Sequence, residues 1–161
     1  MRYTVSVGKT LELALEVRNT SKVPFTFEEA LHTYFTVGDV QSIGVEGLNG
    51  RTFIDKMSNA ARKKQEGAIK FTEETDRVYV ATPDTVTVRD ESLGRSIAVA
   101  KEGSLATVVW NPWIDKAKRM PDFGDEEWPA MVCVETANCA DHTITLKPGE
   151  KHVMKAMISA K

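Results

Sequence analysis

A histidine, two carboxylates and a pair of tryptophans are the residues of this chain whose types and settings point to chemistry. His32 sits in the run Leu31-His32-Thr33-Tyr34-Phe35, among aromatic and β-branched neighbours. Histidine titrates nearest neutral pH, so it suits a general acid or base. The same position equally suits a core or edge histidine held by one hydrogen bond. Glu135 closes the apolar run Met131 to Val134. Charged residues are almost never fully buried unless paired or employed. A partly desolvated carboxylate there would be a stronger base than a free one; one turned outward would simply meet solvent. Asp76-Arg77 follows the acidic Glu73-Glu74-Thr75. Read alone, it is a solvated turn with an ion pair contributing roughly 0–1 kcal/mol. Trp110-Asn111-Pro112-Trp113 puts two of the three tryptophans into four residues around a proline. One of them suits a core. Two in a loop suggest binding, since flat aromatic faces match the apolar C–H faces of sugars and the indole N–H is a donor.

Other chemistries find no support. Cys133-x5-Cys139-x2-His142 lacks metal-ligand spacing and a fourth ligand. The stretch Gly44 to Gly50 has neither the lysine nor the context of a phosphate loop, and no serine sits in a nucleophile elbow. The 161 residues carry a net charge of −2, with 42% hydrophobic and 27% charged residues. That is ordinary globular usage. It excludes a disordered chain and a coiled coil, and the absence of a basic excess argues against nucleic acid as a partner. No apolar run approaches the roughly 18 residues of a membrane span. Met1 to Val7 alternates and lacks the apolar block of a signal peptide. The expectation is a single domain, residues 1–161, in the cytoplasm with free thiols.

The elements that must position these residues are mostly strands. From Thr10 to Arg18, Leu11, Leu13, Leu15 and Val17 share one face, and Glu12, Glu16 and Arg18 the other. This alternation predicts a half-buried strand, preceded by a strand over Arg2 to Val7 and a turn at Gly8-Lys9. Phe25 to Val37 predicts one long strand-like run that contains His32. Shorter runs follow at 40–45, 68–71, 77–81, 85–89, 96–100, 106–110, 131–135, 143–146 and 152–158, with turn residues between them. Only Asp55–Gln65 and Ile114–Arg119 offer short helical patterns. Many short strands with close turn signals predict an all-β antiparallel sandwich or barrel with one or two short helices.

Leu31 to Val40, Phe71 to Tyr79, Thr107 to Trp128, Met131 to Asn138 and Leu146 to His152 occur here in one order. The series closely resembles the hexose-6-phosphate mutarotases (glucose-6-phosphate 1-epimerases) of the aldose 1-epimerase superfamily, from about Thr10 to Ile158. The resemblance implies an antiparallel β-sandwich of the galactose-mutarotase type, of which this chain holds the C-terminal portion. It implies interconversion of the α and β anomers of a hexose, with hexose 6-phosphate as the expected substrate and no metal or organic cofactor. The alternative is a carbohydrate-binding or interaction module derived from this fold without turnover.

Residue by residue, the resemblance puts the family's catalytic histidine on His32, its catalytic glutamate on Glu135 and its sugar-binding aspartate on Asp76. Trp110 and Trp113 belong to the same signature and are the candidate sugar contacts. Glu135 is then the base on the anomeric hydroxyl, and protonated His32 the acid on the ring oxygen, on opposite sides of the sugar. Family members are about twice as long, and their N-terminal half supplies the arginines that bind phosphate. Within this chain Arg51, Lys56 and Lys116 are the conceivable phosphate contacts. Part of a sandwich is expected to leave an apolar sheet face and edges open, which a homodimer could cover.

Overall fold

The computed structural model describes residues Met1–Lys161. Fifteen strands run in the order β1 (Arg2–Val7), β2 (Leu11–Arg18), β3 (Phe25–Phe27), β4 (Glu29–Leu31), β5 (Tyr34–Thr36), β6 (Gly44–Glu46), β7 (Thr52–Asp55), β8 (Ala61–Lys64), β9 (Thr75–Val80), β10 (Val86–Asp90), β11 (Arg95–Glu102), β12 (Ala106–Asn111), β13 (Met131–Asn138), β14 (Ile144–Leu146) and β15 (Lys151–Ala160). One helix, α1 (Trp113–Ala117), and three single-turn 3₁₀ segments complete the chain. All strand pairings are antiparallel. One sheet has the order β1-β2-β15-β11-β10-β6. The other runs β4-β13-β12-β9-β7-β8, with β5 also pairing β13, and β3 pairs with β14 apart from both.

Alternation along the strands builds the sandwich. Val86, Val88, Ile97 and Val99 of the first sheet pack against Phe53, Tyr79, Val109, Val132 and Val134 of the second in one buried cluster. The opposite residues of the second sheet form a separate apolar patch, Val78, Ala106, Val108 and Ala137, on its outer face. Strand β13 is buried on both faces along its whole length. At one end of the sandwich the two sheets are tied by polar groups: His152 lies 3.1 Å from Glu29 Oε1, and Asn138 Nδ2 donates to both Glu29 and the Gly103 carbonyl.

Strand β1 is exposed throughout, with Tyr3, Val5 and Val7 all more than half open to solvent, so one sheet edge does carry uncovered apolar side chains. Three expectations need correction. The run 68–71 forms no strand, only an isolated bridge from Ile69 to Val45 that continues no ladder. Asp55–Gln65 is a hairpin, β7 to β8, and not a helix. Asn59 and Ala60 both take left-handed backbone (φ 52° and 57°), which ends any helical turn, and Asp55 caps the bend by accepting from Met57 N and Ser58 Oγ. The run Phe25–Val37 is three short strands, with His32 and Thr33 in the break between β4 and β5.

Gly103 joins β11 to β12 with φ +64°, and a Cβ there would sit 2.2 Å from the Val153 carbonyl oxygen. Gly50 has φ +75° but open space around it. Gly50→Ala should cost about 1 kcal/mol, the left-handed strain alone. Gly103→Ala should cost clearly more, because backbone atoms must also move. Urea unfolding of the two variants checks the order.

Candidate active site

The site follows from strand register on the outer face of the second sheet. Strand β13 pairs β4 with Leu31 opposite Thr136, and β5 with Tyr34 opposite Cys133. The register is continuous across the break, so His32 falls directly opposite Glu135. On the other side of β13, Val108 of β12 faces Glu135, and Val78 of β9 faces Val108. The next row on the same face reads Tyr34, Cys133, Trp110 and Asp76. Asp55 of β7 opposes Arg77, so Lys56, the next residue, falls beside Asp76. Directly opposed residues on one face have Cβ atoms about 4.5–5.5 Å apart. Groups from five chain segments are thereby brought together with no helix in between.

These two rows floor a groove of about 820 Å³. That is the size range of small-molecule sites. His32 Nδ1 lies 3.0 Å from Glu135 Oε1. The His32 side chain is 64% exposed and that of Glu135 only 8%, so an exposed histidine stands over a buried carboxylate. The two groups are in contact side by side, rather than apart on opposite sides of a bound sugar. Lys56 Nζ lies 3.4 Å from Asp76 Oδ1. Tyr34 meets Trp110 edge-on with ring centroids 5.7 Å apart, an aromatic wall beside the carboxylate.

Burial pushes the Glu135 carboxyl above the usual carboxylate range, and the His32 imidazole, the Cys133 thiol and the Lys56 ammonium pull only partly back. Burial also raises the Tyr34 phenol, helped by Cys133 and Glu135. The Glu135 carboxylate is therefore more basic than one in water, which suits proton abstraction.

His32, Glu135, Asp76 and Trp110 all line the groove. Trp113 does not. It packs on Trp128 with ring centroids 4.4 Å apart and joins the sandwich core. The residue between the tryptophans explains the split. Buried Asn111 donates from Nδ2 to the Trp128 and Met131 carbonyls and accepts at Oδ1 from Trp113 N, and Trp113 takes φ +58°. The chain thus turns inward after Trp110. Of the three candidate cations, Lys56 and Lys116 line the groove. Arg51 lies elsewhere, spent on the Ala81 carbonyl and Asp84. Tyr34 and Cys133 had no signal of their own beyond their i+2 spacing from His32 and Glu135, which puts them on the same face.

Residues 1–159 match the sequence profile of the family described as aldose 1-epimerase. A protein of Cenchrus ciliaris is 41% identical over 99% of this chain and 50% of its own length, and one of Escherichia coli (strain K12) is 38% identical over 96% and 51%. Both bear the name "Putative glucose-6-phosphate 1-epimerase". The solved "putative mutarotase (YeaD)" of Salmonella typhimurium superposes with a TM-score of 0.89 at 32% identity, over 98% of this chain and 52% of that one. The chain spans about half the length of the curated relatives it matches.

The raised Glu135 pKa has a consequence for stability. A carboxyl whose folded pKa exceeds its unfolded value near 4.3 binds protons more tightly when folded. Its contribution is fully present at low pH and is lost as pH rises through the folded value. Glu135→Gln removes the buried charge and keeps an acceptor for His32 and Cys133. The variant should melt higher than wild type at pH 7, and the gap should narrow on acidification toward pH 5. Paired thermal melts across that range check it.

Proposed function

This chain belongs to the aldose 1-epimerase family, and from that premise we propose that it interconverts the α and β anomers of an aldohexose by opening and reclosing the ring. The observation that carries this reading is the 3.0 Å contact of His32 Nδ1 with the buried Glu135 carboxylate in an open groove. The two oxygens that exchange protons in a cyclic hemiacetal, the anomeric hydroxyl and the ring oxygen, are bonded to one carbon. An acid and a base held side by side therefore reach both.

In the forward step Glu135 takes the proton of the anomeric hydroxyl. The C1–O1 bond becomes a carbonyl, the bond from C1 to the ring oxygen breaks, and the ring oxygen takes a proton from His32 Nε2. Rotation about C1–C2 presents the other carbonyl face. Reclosure reverses both transfers and returns His32 and Glu135 to their starting protonation. Each transfer is typically worth roughly 10²–10⁴-fold. Asp76, steadied by Lys56, accepts hydrogen bonds from sugar hydroxyls and fixes the pose. Trp110 offers its face to the sugar.

The substrate class we infer is a hexose 6-phosphate. Two features support it: the glucose-6-phosphate 1-epimerase names of relatives at 41% and 38% identity, and the two lysines, Lys56 and Lys116, on the groove.

Anomer exchange measured by NMR on glucose 6-phosphate should run faster with the protein than in buffer. Glu135→Gln and His32→Ala should each lower the rate by roughly 10²–10⁴-fold. Lys116→Ala should raise KM for the phosphorylated sugar and leave that for free glucose unchanged. Equal exchange with and without wild-type protein refutes the activity, and an equal effect on both sugars refutes the phosphate preference.

A further inference from the structure

Glu135 has a second neighbour besides His32. The Cys133 thiol, two residues earlier on the same face of β13, lies 3.4 Å from Glu135 Oε1, the oxygen that His32 also approaches. Both side chains converge on one carboxylate oxygen. Oε2 receives no hydrogen bond from the protein and is not sealed from solvent. A carboxylate on a flexible stem would otherwise present either oxygen to the groove.

We propose that Cys133 is a positioning residue for Glu135: its thiol, donating to Oε1 beside His32, fixes the rotation of the carboxylate and leaves Oε2 as the atom that accepts the substrate proton. The assignment of Oε2 rests on the mutarotase reading; the hydrogen bond and its effect on Glu135 do not. In the step itself the anomeric O–H proton passes to Oε2, while the S–H proton stays on sulfur throughout.

Three observations support a donor role over simple filling of space. Cys133 is wholly buried, with no solvent to compete for its proton. Burial, together with the Glu135 charge, pushes the thiol above its ordinary range, so it remains protonated and a donor at working pH. The remaining groups that act on Glu135 come from other elements: His32 between β4 and β5, Lys56 after β7, and Asp76 on β9. Lys56 is already held by Asp76 at 3.4 Å. His32 is largely exposed on the groove side, where a bound ligand would meet it. Cys133 is thus the one side chain that hydrogen-bonds to the carboxylate, and it does so from the buried strand itself. Cys139 and Tyr34, also on the groove, feel the Glu135 charge, but no hydrogen bond links either side chain to it.

The test is the side-chain titration of Glu135 by carbon NMR, with its carboxyl signal assigned by loss in Glu135→Gln. It is run on the intact chain as wild type, Cys133→Ala and Cys133→Ser. Alanine removes the donor, so Glu135 should titrate higher by roughly half a unit to one unit, since charged groups gain from each donor they accept. Serine restores a donor and should bring the midpoint to the wild-type value or below. The acid limb of the anomer-exchange rate should move with these midpoints, with kcat lowered in the alanine variant and recovered in the serine one. Coincident titrations of wild type and Cys133→Ala overturn the proposal. So does an upward shift of equal size in both variants, which would mark a packing effect. Should Cys133→Ala fail to fold, Cys133→Ser decides: a midpoint above wild type overturns the proposal, and one at or below supports it. If the wild type does not accelerate anomer exchange, the mutarotase reading and the Oε2 role fall together. The titration then still decides whether Cys133 holds the carboxylate.

Discussion

A carboxylate in the middle of a fully buried strand is the constraint on which this structure turns. Strand β13 is covered on both faces, yet its outer face holds Glu135. An unpaired charge there would be costly or would simply protonate. The register supplies the remedy. His32 arrives directly opposite from the β4–β5 edge, and Cys133 stands two residues away on the same strand. Cys133 donates to one oxygen and His32 approaches the same one, while the groove above keeps the other within reach of solvent. The balance leaves the carboxyl raised, the direction that makes a carboxylate a stronger base.

The same register sets everything else in the groove. A shift of one residue in any of the pairings β13–β12, β12–β9 or β9–β7 would turn Trp110, Asp76 or Lys56 into the core. The core side therefore protects the site. Val109, Val134 and Tyr79 alternate with the groove residues and are almost fully buried, so a slip would expose them as it buried charge. Stability and site geometry are enforced by one set of contacts.

How much of this was legible in the sequence depends on what each residue answers to. Strands such as Arg2–Val7 and Leu11–Arg18 read directly, because period-two alternation is a local signal that the fold only ratifies. The hairpin at 55–65 did not. Its turn depends on left-handed Asn59 and Ala60, and Ala60 gives no hint of that. Its strand β8 is an exposed edge with the sequence Ala-Arg-Lys-Lys, which carries no alternation to read. His32, Glu135 and Asp76 stood out by residue type with a bland reading beside each, the family resemblance gave them roles, and the fold brings them into one groove. Trp113 was assigned with Trp110 because they share a motif. What separates them is buried Asn111, whose hydrogen bonds depend on a carbonyl seventeen residues along the chain.

Lys56 shows the limit most clearly. In sequence it was one of three interchangeable cations, with Arg51 and Lys116. Its place beside Asp76 follows only once β7 is known to pair β9 with Asp55 opposite Arg77. That single pairing gives the lysine two roles at once. It partners Asp76, the carboxylate proposed above to hold sugar hydroxyls, and its charge favours the ionised form of Glu135. A cation that also met a phosphate would have to divide itself among these anions, and the nearer Asp76 has the stronger claim. Lys116, on α1, forms no ion pair with any carboxylate of the chain. Of the two lysines on the groove it is the one outside any ion pair, so under the phosphate preference proposed above, discrimination between a phosphorylated and a free sugar would fall to α1 and not to the sheet that carries Glu135 and Asp76.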